Sequence, residues 1–116
     1  MKDYSIKFIA DGKEYTAIFN LNVMEAIQEE YGTIQKWAEL TDAKGGEINA
    51  KALTFGLTAM INEAIDMEND TTGAEKPLFT RKQVARLISQ AGLEASANAL
   101  NNAVIEATKS EESKNA

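Results

Sequence analysis

Asp66, Glu68 and Asp70 recur at every second position, the spacing of the first three ligands in an EF-hand calcium loop. Such a loop also needs a glycine at its sharp turn and a bidentate glutamate at its end. This chain has Thr71 and Pro77 at those places. The cluster therefore reads as a solvated helix end and loop, and no metal is expected. The chain has no His and no Cys, so it lacks the commonest general base, the commonest metal ligand, any thiolate nucleophile and any disulfide framework. No Gly-rich phosphate loop, nucleophile elbow or Ser/His constellation occurs. Nothing in the pattern places two carboxylates in an apolar cleft where their pKa values would separate. Catalysis and a cofactor are not expected.

Basic residues offer a different kind of chemistry. Lys76, Arg81, Lys82 and Arg86 hold four of the 12 Lys and Arg residues, including both arginines. On a helix, Lys82 and Arg86 stand one turn apart and point away from Val84, Leu87 and Ile88, with Arg81 on the flank. Such a patch suits nucleic acid or an acidic partner protein. Ordinary solvation, with the long stems covering apolar surface, is the simpler reading, because short charge runs usually mark solvated faces. A helix-turn-helix over Thr80 to Val104 fits poorly. That motif places an alanine four residues before its turn glycine, whereas Ala85 and Gly92 are seven apart. No Lys or Arg occurs between Glu94 and Glu106, although phosphate and guanine contacts depend on them. Asn98, Asn101 and Asn102 read as facing water.

Apolar side chains off the main helical stripes are the other candidates for partner contact. Phe55 and Ile105 are of this kind. Trp37 lies at helical spacing from Ile34 and reads as core. Met24, Met60 and Met67 are adaptable fillers that could serve a core or a groove. The candidate partner-binding set is therefore Arg81, Lys82, Arg86, Phe55 and Ile105.

Positioning these residues requires a hairpin and about five helices. Tyr4, Ile6 and Phe8 alternate with Ser5 and Lys7 as in a half-buried strand. Asp11-Gly12 suits a two-residue type I′ turn, and Tyr15 to Phe19 make the returning strand. Asn22 reads as the cap of the first helix, with Glu25 completing a capping box and Gly32 stopping it beyond Tyr31. Thr33 caps a short second helix, and Gly45-Gly46 marks a loop. Asn49 caps the longest helix, about Ala50 to Met67, with Leu53, Leu57, Met60, Ile61 and Ala64 as its stripe. Gly56 suits a close helix or sheet approach, and reads equally well as a merely tolerated glycine. Glu68 to Pro77 reads as a polar loop and the most mobile internal region. Thr80 and Gln83 make a capping box for a helix carrying Val84, Leu87, Ile88 and Ala91, ended by Gly92. A last helix, about Leu93 to Thr108, carries Ala97, Leu100, Val104 and Ala107. The expectation is a single α+β domain over residues 1–109, helix-dominated, with a disordered tail at 110–116.

Composition agrees with one soluble unit. Of 116 residues, 44% are apolar and 26% are charged, and 12 basic against 18 acidic side chains leave a net charge of −6. The longest apolar stretch, Ala52 to Ile61, is about half of the ~20 residues that span a bilayer. The opening Met1-Lys2-Asp3-Tyr4 lacks the apolar core of a secretory signal. A soluble cytoplasmic protein is expected.

Three phrases stand in order along the chain: the hairpin; Phe19-Asn20-Leu21-Asn22-Val23-Met24-Glu25-Ala26-Ile27-Gln28-Glu29-Glu30-Tyr31-Gly32; and Leu78-Phe79-Thr80-Arg81-Lys82-Gln83-Val84-Ala85-Arg86-Leu87-Ile88 running to Gly92. Together, over about residues 4–93, they resemble the small tail assembly chaperones of long-tailed bacteriophages and prophages, and their relatives in gene transfer agents. The Lys/Arg content of Arg81 to Arg86 departs from the more acidic helix of that family. The resemblance implies a non-enzymatic factor in the bacterial host cytoplasm. Such a factor binds the tape measure protein, and by extension the tail tube protein, without a membrane or a cofactor. It leaves open an oligomer, a structural role in a phage tail or connector, and a small nucleic-acid-binding regulator.

Overall fold

Asp11 and Gly12 both take left-handed backbone, φ 51° and 76°, the pair of conformations a type I′ turn demands. That turn sets the register of β1 (Tyr4–Ala10) against β2 (Lys13–Phe19), from Ala10 opposite Lys13 to Tyr4 opposite Phe19. The alternation expected from the sequence follows from the register. Phe8, Ala10, Ala17 and Phe19 are buried, while Ser5, Lys7 and Ile9 face outward. The computed structural model describes residues 4–42 and 46–115, with side chains through residue 108. Gly45 and the first three residues lie outside them.

Five helices follow: α1 (Leu21–Tyr31), α2 (Ile34–Thr41), α3 (Ala50–Thr72), α4 (Arg81–Ala91) and α5 (Leu93–Asn115). The protein is thus α+β, a two-stranded antiparallel hairpin packed against helices. β2 rests mainly on α3, and β1 on α5 and α4. One core joins Phe19, Ile27, Trp37, Leu57, Met60, Val84 and Leu100, so hairpin and helices form one cooperative unit.

Capping chemistry explains most helix starts. Thr33 accepts from Lys36 N–H, Asn49 from Ala52 N–H, and Thr80 with Gln83 forms the complete capping box. The start of α1 differs from the expectation. Asn20 is the cap, its Oδ1 accepting from Val23 N–H at 3.2 Å, and Glu25 therefore falls beyond the box position. Asn22 instead donates to Glu63 Oε2 at 3.0 Å, and Asn20 donates to the same oxygen at 2.7 Å. One carboxylate on α3 thus ties down both asparagines.

The expected loop from Glu68 to Pro77 is corrected at its start and stands from Gly73 onward. α3 continues to Thr72 and stops at Gly73, which is left-handed at φ 78°. The chain then runs back extended along α3, held by two asparagines seven residues apart on one helix face. Asn69 donates to Lys76 C=O at 3.0 Å and accepts from Lys76 N–H at 3.1 Å. Asn62 does the same to Phe79, at 2.9 and 2.8 Å. Each side-chain amide thereby replaces a neighbouring strand for one residue, satisfying backbone groups that a loop would leave to water. At the other end of the chain, α5 is helical to Asn115, past Thr108 and across residues assigned from sequence to a disordered tail.

Trp37 is fully buried and donates from Nε1 to Ala52 C=O at 3.0 Å. Its ring lies over Gly56, where a Cβ would collide with Trp37 Cζ2 and meet Leu100 Cδ1 at 3.0 Å. The close approach expected at Gly56 is therefore real, and Trp37 belongs to the core.

Candidate functional site

The acidic cluster is carried by α3. Asp66 and Asp70 share one flank at i, i+4, while Glu68 points elsewhere and pairs with Lys76 Nζ at 2.9 Å. A helix cannot wrap these carboxylates around one ion as a loop does. Among the described residues no group of three His, Cys, Asp or Glu side chains is placed to hold a metal.

The five candidate contact residues fall in different places. Arg81, Lys82 and Arg86 are exposed on α4, and none has an ion-pair partner among the described residues. Arg81 and Lys82 occupy the first turn, which holds no acidic residue. Cations there oppose the helix dipole, at about 0.3–1 kcal/mol each, so helix stability does not explain them. Phe55 is half-buried and meets Tyr31 edge-on, with ring centroids 5.6 Å apart. Burial pushes the Tyr31 phenol above its ordinary pKa, the Glu30 carboxylate pushes it further, and the Arg81 guanidinium pulls it back. The Tyr31 hydroxyl oxygen is buried without a hydrogen-bond partner. Phe55 and Arg81 therefore both flank Tyr31, and Phe55 packs partly buried against the core.

Ile105 lies elsewhere, in a groove of about 660 Å³ between α2 and α5. Ala38, Val104 and Ile105 supply its apolar surface; Ile105 is 56% exposed. Gln35 and Glu39 on α2, and Asn98 and Asn102 on α5, form the polar rim. No Lys or Arg lines it. The two walls are tied together. Asn101 donates to Thr41 C=O across the groove and to Ala97 C=O in its own helix, both at 2.9 Å, while the Thr41 hydroxyl turns back to the Trp37 and Ala38 carbonyls at 3.2 Å. The groove is thus a rigid trough, apolar below and acidic to amide-like above, with no nucleophile or base in an unusual setting.

Sequence reading singled out Ile105 as off the stripe but missed the groove, because its other wall comes from α2, about sixty residues earlier in the chain. One local signal was present. Asn98, Asn102 and Ile105 repeat at i, i+4, i+7 beside the buried Ala97, Leu100, Val104 stripe, marking a second face of the same helix. Among the described residues no helix is long and apolar enough to cross a membrane. Comparisons with protein-family models, with curated proteins and with solved structures return no match to the chain.

Proposed function

We propose that this protein is a non-enzymatic tail assembly chaperone of a phage or prophage, keeping the tape measure protein soluble until the tail tube closes around it. The family resemblance of residues 4–93 supplies the partner. The observation that carries the reading is the α2–α5 groove, with Ile105 exposed above an apolar floor on two helices locked by Asn101 and Thr41. A tape measure protein is long and helical, and each amphipathic stretch presents an apolar stripe flanked by charge. One such stripe lies along Ala38, Val104 and Ile105, with Lys or Arg beside Glu39. Burying Ile105 and its neighbours gives modest affinity per copy, and many copies along one long partner hold it collectively yet release it as tube subunits arrive.

The test is co-expression with a tape measure protein of a long-tailed phage. The wild type raises the soluble yield of that protein and co-purifies with it, while Ile105→Asp and Ala38→Arg lose both effects and keep the native helical content. Unchanged aggregation of the tape measure protein in the presence of the wild type overturns the reading. Retention in purified particles would identify a structural subunit of the tail or connector instead. Salt-sensitive DNA retention, lost in Arg81→Ala and Arg86→Ala, would favour a nucleic-acid-binding regulator.

A further inference from the structure

In a hairpin closed by a two-residue turn, the residues flanking the turn exchange hydrogen bonds, and bonded pairs then alternate with non-bonded ones. With Ala10 opposite Lys13, the backbone groups of Tyr15, Ala17 and Phe19 point at β1. Those of Glu14, Thr16 and Ile18 point the opposite way. The sheet has only two strands, and these outward N–H and C=O groups have no partner among the described residues. An open edge of this kind is a template for another strand.

The β2 edge also has a shaped neighbour. A groove of about 350 Å³ runs beside it, with Thr16 and Ile18 on one wall and Ile61, Ala64 and Ile65 of α3 on the other. A strand laid along β2 would point alternate side chains at that aliphatic wall and the rest at solvent. The charges at the groove are nearly settled internally, since Glu68 is paired with Lys76. Glu14, exposed at the turn end, has no ion-pair partner among the described residues. A second copy of this chain does not fit. Paired strands lie about 4.8 Å apart whereas packed helices need about 8–10 Å, so two-fold pairing would force both α3 helices into one inter-strand space.

We propose that the β2 edge is a strand-addition site, which takes an extended segment of a partner protein, aliphatic at alternate positions and carrying a Lys or Arg beside Glu14. The added strand exchanges main-chain hydrogen bonds with Glu14, Thr16 and Ile18, and its aliphatic side chains cover Ala64 and Ile65. Main-chain pairing supplies the affinity and the α3 wall supplies the side-chain preference. The proposal is independent of the tail-assembly reading, because it uses a different surface and a partner in a different conformation.

Amide exchange read by NMR tests it, with a capped hexapeptide alternating Val with Thr and Lys as the probe. Without peptide, the N–H groups of Glu14, Thr16 and Ile18 exchange rapidly while those of Tyr15 and Ala17 are protected. At saturating peptide the first three slow by at least tenfold, and the same peptide N-methylated at alternate residues has no effect. Thr16→Pro removes one outward N–H and leaves the main-chain bonds to β1, giving up only the side-chain bond from Lys7 Nζ to Thr16 Oγ1, and it loses the protection at Glu14 and Ile18. Ile65→Glu alters only the α3 wall and weakens binding at least tenfold with the hairpin backbone unchanged, which covers the case in which proline disturbs the strand. Absence of protection at millimolar peptide, equal protection by the N-methylated peptide, or shifts confined to the α2–α5 groove overturns the proposal. So does protection of these amides by self-association in the absence of peptide.

Discussion

Asn62 and Phe79, seventeen residues apart, exchange two hydrogen bonds: the asparagine Nδ2 donates to the Phe79 carbonyl at 2.9 Å, and the Phe79 N–H donates to Oδ1 at 2.8 Å. Phe79 in turn packs edge-on against Tyr15, with ring centroids 5.8 Å apart. A single side-chain amide on α3 therefore docks the approach to α4 and, through Phe79, braces the hairpin.

Asn62→Ala strands both backbone groups of Phe79 in a partly buried place, where each unmade hydrogen bond costs about 1–3 kcal/mol. A loss of about 2 kcal/mol is expected in urea unfolding, with faster exchange at the Phe79 amide. Asn69→Ala should cost less than half of that, because its bonds to Lys76 are exposed and water replaces them. Equal losses at the two positions would contradict this account.

Gly56→Ala pushes a methyl group into the Trp37 ring and against Leu100. Overpacking a tight core site costs about 1–3 kcal/mol. Because the chain has one Trp, its fluorescence reports the site directly. The expected result is a lower melting temperature with a shifted Trp37 emission, and a variant with both unchanged would show that the contact is slack.

Tyr31 holds its proton to higher pH in the folded chain than in the unfolded one, chiefly through burial. Above about pH 10 the unfolded phenol ionises while the folded one stays neutral, so the folded state binds more protons and stability falls as pH rises. Below that pH the contribution is fully present. Tyr31→Phe should flatten the alkaline loss. At neutral pH it should be neutral or stabilising by about 1 kcal/mol, since it removes a buried hydroxyl without a partner. The phenolate absorbance missing from the variant, read as a difference titration, gives the Tyr31 component.

Lys82→Glu places an anion in the first turn of α4 in place of a cation. The dipole argument predicts a gain of about 0.3–1 kcal/mol, shrinking as salt is added. A salt-independent effect, or a loss, would indicate that Lys82 has a stabilising partner.

The start and stop chemistry was legible in the sequence because it is local. Asp11-Gly12 needs only its own backbone conformations, and Thr33, Asn49 and the Thr80/Gln83 box reach no farther than three residues. The core stripes of α3, α4 and α5 were legible for the same reason, since helical period alone brings Leu53 with Leu57 or Val84 with Ile88 onto one face. Phe55 was legible as off-stripe, but its contact with Tyr31 was not, because that pairing joins two helices.

Where distant residues choose between locally equivalent options, only the tertiary structure decided. Asn20 and Asn22 are both good caps by type, and both reach Glu63 on α3, but Asn20 is the one that accepts from Val23 N–H. The stretch after Met67 is polar enough for a loop, yet α3 runs on to Thr72, and Asn62 and Asn69 on one of its faces hold the chain beyond Gly73 extended. The groove under Ile105 exists because α5 returns beside α2, and the open edge at Thr16 lies beside α3 because β2 packs there. Hydrophobic period and capping act over one helical turn and are written in the chain itself. Which surfaces meet, and which are left uncovered, depends on contacts between segments tens of residues apart.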